Sequence, residues 1–129
     1  MITRRALLAV AALLTLSLPA TSAESIAFDA AAFEAAQAEG RPILVHVTAP
    51  WCGTCRAQKR VLPELLAAPE FADLVWLNVD FDEGGDTLRA FDVRHQSTMI
   101  LFRGEEEVAR SVGETQPDAL REVLGAVLR

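Results

Sequence analysis

The chain is poor in the residues that metal and nucleic-acid proteins need in number. Of 129 residues, two are cysteine, two histidine and two methionine. No Met-rich or His-rich tract for a soft metal can be built from so few. A zinc module is excluded by spacing as well as by number. Cys52 and Cys55 would have to be completed by His46 and His95, which do not follow the Cys-x-x-Cys…His-x-x-x-His pattern. Positive charge is also scarce. Twelve Lys and Arg face 18 Asp and Glu, a net charge of −6, which argues against nucleic acid and anionic membrane surfaces as partners. Beyond the first residues no apolar run is long enough to span a membrane. There is no internal repeat, no low-complexity segment and no sign of a second domain.

The first residues stand apart. Arg4 and Arg5 form a positive start, Ala6 to Leu18 is an uncharged apolar run, and Pro19 breaks it. Thr21-Ser22-Ala23 then places small residues where a signal peptidase needs them. Residues 1–23 read as a secretory signal peptide cleaved after Ala23, and residues 24–129 as one domain. The apolar run is too short to serve comfortably as a membrane anchor, so no membrane insertion is expected after cleavage. Cleavage removes Arg4 and Arg5, which takes the net charge from −6 to −8. The expected location is periplasmic. Two cysteines in an exported chain are normally oxidised, so a reducing role requires something to keep re-reducing them.

Those two cysteines sit in Trp51-Cys52-Gly53-Thr54-Cys55-Arg56, directly after the apolar run Ile43-Leu44-Val45-His46-Val47. The run reads as a buried strand and Arg56 to Ala67 as a helix. A Cys-x-x-Cys at such a junction puts Cys52 in the first helical turn, where unpaired N–H groups and the macrodipole favour a thiolate. The thiolate is the form that attacks disulfides. Cys55, one turn on, is placed to displace the mixed disulfide. Competing readings are weaker. A structural bridge across so short a loop removes little unfolded-chain entropy, and a thiol at a helix N-terminus is rarely enclosed and inert.

The other elements follow from local signals. Ser25 to Phe28 is a short apolar lead-in of edge-strand character. Asp29 caps an Ala-rich helix over 30–39, with Phe28 and Phe33 as a staple across the cap. Gly40 and Pro42 end that helix. Strand 43–48 is apolar on both faces, as in a central strand between helices. In the next helix Arg56, Lys59, Arg60 and Glu64 form the wet side; Val61, Leu62, Leu65 and Leu66 form the core side, and Pro63 predicts a kink or restart. Leu74 to Val79 reads as a strand, and Asp86 as the cap of a short helix through Phe91. Thr98 to Phe102 and Glu107 to Val112 form a hairpin about Arg103-Gly104, with Glu105-Glu106-Glu107 a solvated turn. Thr115 opens the last helix, with Pro117 in its first turn and Leu120, Val123, Leu124 and Val127 on one face. The crossovers imply an α/β three-layer sandwich, a mixed central sheet with helices on both faces.

This order, with Trp51-Cys52-x-x-Cys55 after the first long strand and Phe102-x-Gly104…Gly113…Leu120 in the tail, resembles the thioredoxin family over essentially all of 25–129. The approach Glu39-Gly40-x-Pro42 is most similar to the periplasmic thioredoxin-like domains of bacterial disulfide reductants. The resemblance implies a nucleophilic Cys52, a resolving Cys55, protein disulfides as substrates and no cofactor beyond the redox-active pair. It also implies a membrane electron donor and a docking surface that includes Trp51.

Three positions depart from the family pattern. Its cis-proline, in the loop facing the dithiol, is replaced here by Ser97. A cis bond before a non-proline costs about 2.5–4 kcal/mol, so a trans Gln96–Ser97 bond is expected. Gln96 and Ser97 are assigned to substrate binding. Ser97 also leaves room for a thiolate hydrogen bond or a metal. Where the family often has a buried Asp, this chain has His46, and that residue's basic partner is replaced by Trp76. His46 is a candidate catalytic residue, a neutral imidazole exchanging the Cys55 proton; the alternative is a hydrogen-bonded core histidine. Finally, Gly53-Thr54 contains no cation to stabilise the thiolate. A stabilised reduced form makes an oxidant, so the pair is expected to reduce. The alternatives are a disulfide oxidase or isomerase, and a soft-metal protein binding Cu(I) or a shared Fe–S cluster through Cys52 and Cys55.

Overall fold

The structure is a computed structural model that describes residues 23–129. The signal peptide read from residues 1–23 therefore lies, but for Ala23, outside the described residues.

The central strand, β2 (Pro42–Thr48), organises the rest. Residues 43 to 48 are buried without a break, so neither face of the sheet is wet. It pairs in parallel with β3 (Val75–Asp80) and antiparallel with β4 (Thr98–Arg103). The edges are β1 (Ser25–Ala27), parallel to β3, and β5 (Glu106–Val112), antiparallel to β4. The order β1-β3-β2-β4-β5 is the expected mixed sheet. Strand alternation divides the core in two. Leu44 joins Leu62, Trp76, Met99, Leu101, Leu120 and Leu124 on the face covered by α2 (Gly53–Leu66) and α4 (Pro117–Gly125). Ile43, Val45 and Val47 join Ala36, Leu77, Ile100 and Phe102 on the face covered by α1 (Ala30–Ala38) and α3 (Gly85–Ala90).

Several local expectations are realised atom by atom. Asp29 Oδ2 accepts the Ala32 N–H at 3.0 Å, and the Phe28 and Phe33 rings lie 5.7 Å apart over the cap. Gly40 takes φ +68° and Gly104, at the hairpin turn, φ +57°, values that only glycine reaches without cost.

Three expectations need correction. The helix after the cysteines does not restart at Pro63 but runs unbroken from Gly53 to Leu66. Pro63 and Lys59 are both exposed, so the Lys59 carbonyl that Pro63 leaves unpaired is on the wet side, where water can satisfy it. Asp86 does not cap α3; Gly84 occupies the cap position, and Asp86 instead pairs with Arg89 within the helix. The Thr115 hydroxyl does not cap α4 either. The Glu114 carboxylate accepts the N–H groups of Thr115 and Gln116 at 2.9 and 2.8 Å, and Pro117 opens the helix.

Two glycines in helical surroundings should respond oppositely to alanine. A Cβ on Gly84 would lie 2.6 Å from the Asp80 carbonyl oxygen and 2.8 Å from Val79 Cγ1, whereas one on Gly125 meets nothing within 4 Å. Gly84→Ala should cost about 1–3 kcal/mol through overpacking. Gly125→Ala should stabilise by about 0.4–1 kcal/mol through the unfolded chain's lost freedom. Urea unfolding of the two variants checks both signs.

Candidate functional site

The site forms where β2 delivers the chain to the start of α2. After Thr48 the backbone turns through Ala49-Pro50-Trp51, held by a bond from the Cys52 N–H to the Ala49 carbonyl at 3.1 Å. Cys52 is the N-cap of α2, one position before the first turn in which the sequence placed it. Its sulfur accepts the Cys55 N–H at 3.0 Å. An unpaired helix N–H therefore points at the atom that becomes a thiolate on reduction. Cys52 and Cys55 are joined as a disulfide.

Both cysteines are more enclosed than a helix-terminal pair was expected to be, 3% exposed for Cys52 and 1% for Cys55. Ala49 and Phe81 pack against them, and the Trp51 ring stands edge-on to Phe81. Trp51 itself is 57% exposed, with its indole N–H donated to Asp82 at 2.9 Å. It is a tethered aromatic surface beside the disulfide. Among the cations of α2, Arg56 folds back over the start of the helix, its Nη2 3.6 Å from where a Cβ on Gly53 would lie. Arg56 donates to the Pro50 carbonyl at 3.1 Å, and Lys59 and Arg60 face solvent. His95 is exposed.

The Gln96–Ser97 bond is trans, as expected, and no described residue follows a cis bond. Ser97 is nevertheless unusual, with φ +58°, a conformation that costs a non-glycine residue about 1–3 kcal/mol. Its N–H donates to the Val47 carbonyl at 2.8 Å, the same oxygen that lies 4.0 Å from Cys55 Sγ. The Ser97 backbone and the buried sulfur thus share one neighbouring carbonyl. The Ser97 hydroxyl donates to the Gln96 carbonyl and not to a cysteine. Gln96 is half-buried at the rim of the loop.

His46 is fully buried on the Leu44 and Thr48 side of β2, 6.0 Å centroid to centroid from the Trp76 ring. Its hydrogen bond runs to Gln58 Oε1 at 2.7 Å, not to a cysteine. The Gln58 amide nitrogen donates to the carbonyls of Ser97 (3.1 Å) and Glu114 (2.9 Å). Those two acceptors fix the amide's orientation, so Gln58 presents its oxygen to His46 and the imidazole carries its proton on Nε2. His46 Nδ1 and Trp76 Nε1 have no hydrogen-bond partner among the described residues. Burial lowers the His46 pKa from 6.5 to about 4, with Gln58 opposing and Lys59 adding to the shift. The imidazole is neutral at pH 7.

Gln58 is the residue that sequence reasoning missed. The signal was present: Cys55, Gln58, Leu62 and Leu65 recur at helical spacing, and all are buried. A lone amide on an otherwise apolar stripe marks a polar group that must be satisfied inside. Among the described residues no three His, Cys, Asp or Glu side chains gather as a metal site. The arrangement offers thiol–disulfide exchange, with the redox group supplied by the chain itself.

A Cys-x-x-Cys disulfide capping the helix after the central strand of this sheet defines the class as a thioredoxin-fold redox protein. The sequence profile of the thioredoxin family matches residues 24–126, and the chain belongs to that family. It is 36% identical over 88 residues to thioredoxin of Mycobacterium tuberculosis, covering 68% of this chain and 75% of that one. It is 38% identical over 71 residues to thioredoxin H2-1 of rice, Oryza sativa, and spans 50% of that protein's length. Among solved structures, Trxlp from Edwardsiella tarda superposes with a TM-score of 0.76 at 46% identity, over 78% of this chain and 98% of that one.

The buried histidine makes stability depend on pH. Its folded pKa of about 4 lies below the ordinary 6.5, so the unfolded chain binds a proton that the folded chain refuses. Stability is full above about pH 6.5 and falls as pH drops towards 4, by about 3 kcal/mol from this group. His46→Leu should remove that component. The difference in unfolding free energy between parent and variant, taken at pH 7 and at pH 4, should shrink by about that amount.

Proposed function

We propose that this chain is an exported thiol:disulfide oxidoreductase that reduces protein disulfides. Cys52 attacks a substrate disulfide and releases one substrate thiol. Cys55 then attacks the Cys52 sulfur of the mixed disulfide, releasing the second thiol and leaving the oxidised pair. A membrane-borne electron donor restores the dithiol. Trp51, Gln96 and Ser97 form the surface on which the substrate seats.

The observation that carries the reductant reading is the surroundings of Cys52 Sγ. It receives a backbone N–H from Cys55, but Gly53-Thr54 supplies no cation and Arg56 is engaged by Pro50. With no cation in the dipeptide between the cysteines, the thiolate relies chiefly on the helix terminus, which leaves the reduced form less favoured than in strong oxidants. The leader-like residues 1–23 support export, and export into an oxidising compartment supports the need for a donor. The likeness to thioredoxins supports protein disulfides as substrates.

The equilibrium reduction potential of the Cys52–Cys55 pair tests this reading. It should lie near the thioredoxin reference of about −270 mV; a value of about −120 to −180 mV would make the protein an oxidase or isomerase instead. Cys55→Ser should accumulate covalent mixed disulfides with its clients in the exported fraction.

We also propose His46 as the neutral acceptor of the Cys55 proton during resolution. Its unpartnered Nδ1 and its place on the core side of β2 support this role; its bond to Gln58 and a pKa lowered by burial, which makes it a weaker base, oppose it. His46→Leu should slow mixed-disulfide resolution near neutral pH in stopped flow. An unchanged rate assigns His46 to Gln58 alone.

A further inference from the structure

Ser97 poses a physical problem. A serine at φ +58° is unfavourable on its own, and no proline ring restrains the chain there. Its backbone is nevertheless fixed at both ends. The N–H is bound to Val47, and the carbonyl accepts two donors, the Gly113 N–H at 3.0 Å and Gln58 Nε2 at 3.1 Å. Of these restraints only Gln58 is a side chain. It is fully buried, it sits one turn beyond Cys55 on α2, and all its polar atoms are used. The amide joins three elements: β2 through His46, the loop before β4 through Ser97, and the turn before α4 through Glu114.

We propose that Gln58 is a positioning residue for substrate docking: its amide clamps the Gln96–Ser97 loop against the disulfide, the restraint that a proline ring would otherwise supply. The inference rests on the reading of Gln96 and Ser97 as docking residues. Its geometry is independent of the direction of electron flow. The clamp acts through the shared Val47 carbonyl, on which the Ser97 N–H and Cys55 Sγ meet. Freed from Gln58, Ser97 keeps one donor on its carbonyl and loses the link to α2. The loop then samples conformations with φ below zero, and a docking substrate must pay to order it again. The expected signature is a weaker KM for protein disulfides. His46 contributes by holding Gln58 Oε1, which leaves the amide nitrogen facing Ser97 and Glu114.

The test uses the full chain and two readouts. Gln58→Met keeps the volume and removes the amide. It should raise KM for reduction of insulin by about three- to tenfold, the effect of one lost hydrogen bond. The loss with insulin should exceed that with a small aromatic disulfide. Amide hydrogen exchange at Ser97 should accelerate by about the same factor. Adding Ser97→Gly, which adopts φ +58° without a Cβ cost, should recover part of the KM.

If Gln58→Met leaves both KM and Ser97 exchange unchanged, the clamp is refuted. If exchange accelerates while KM does not move, the clamp exists but residues 96–97 do not dock substrate, and the docking assignment fails instead. Should Gln58→Met not fold, Gln58→Leu takes its place. It has no polar atom to donate to Ser97, and unaltered Ser97 exchange in that variant overturns the proposal.

Discussion

The structure depends on one constraint, the burial of β2 on both faces. A strand with no wet side must be covered twice, and the chain meets this by sending α1 and α3 to one face and α2 and α4 to the other. The same constraint creates the site. At Thr48 the strand reaches the end of the sheet, and the shortest route to a covering helix is the turn through Pro50 and Trp51. The first free N–H groups of that helix must then find an acceptor at the strand's end. In this chain a sulfur, Cys52 Sγ, is one of those acceptors. Reactivity and capping are therefore one interaction: the group that satisfies the helix terminus is the group whose charged form the terminus favours.

Burial also dictates how polar groups inside the molecule are treated. An isolated buried charge is costly, and a buried pair survives only with good geometry. Among the described residues no charged pair lies behind the cysteines. The chain places a neutral imidazole opposite a carboxamide, and the amide spends both hydrogens on backbone carbonyls. Thr48 and Asn78 make a second neutral contact nearby at 2.8 Å. The polar interior is consequently insensitive to pH above the range in which His46 takes up a proton, and the Cys55 sulfur faces no fixed negative charge from its own core.

Much of the fold was legible in the sequence, because each element carried a local signal that packing did not oppose. Asp29, Phe28, Phe33 and Gly40 bound α1 by capping, staple and a left-handed turn, all short-range effects. The double-sided burial of β2 showed in its unbroken apolar run. What was not legible was which of several neighbouring groups takes each helix-end N–H, and which side chains packing brings together. Thr115 looked like a cap, but the helix begins one residue later, and Glu114 takes the N–H groups of Thr115 and Gln116. Asp86 looked like a cap, but Gly84 packs so tightly on Asp80 that the helix starts from it. At the site, Cys52 and Cys55 followed from their spacing, and Trp51 from the family resemblance. The partner of His46 did not, because an amide on an apolar stripe indicates only that a partner exists.

The replacements at positions 46, 76 and 97 are best understood together with Gln58. A histidine and a tryptophan in place of a charged pair leave the core behind the cysteines neutral, and a neutral core can accept an amide where a carboxylate's charge would demand a cation. An amide at 58 supplies two donors, one more than a hydroxyl, and the two carbonyls within its reach belong to the loop before β4 and the turn before α4. Ser97 can occupy a left-handed conformation because its carbonyl has that second donor. Without Gln58 the Ser97 carbonyl would keep only the Gly113 N–H; the carbonyls of Ser97 and Glu114 orient the amide, and its oxygen is left for His46. The four positions form one polar unit, and its geometry transmits the placement of α2, which carries both cysteines, to the loop that lies against them.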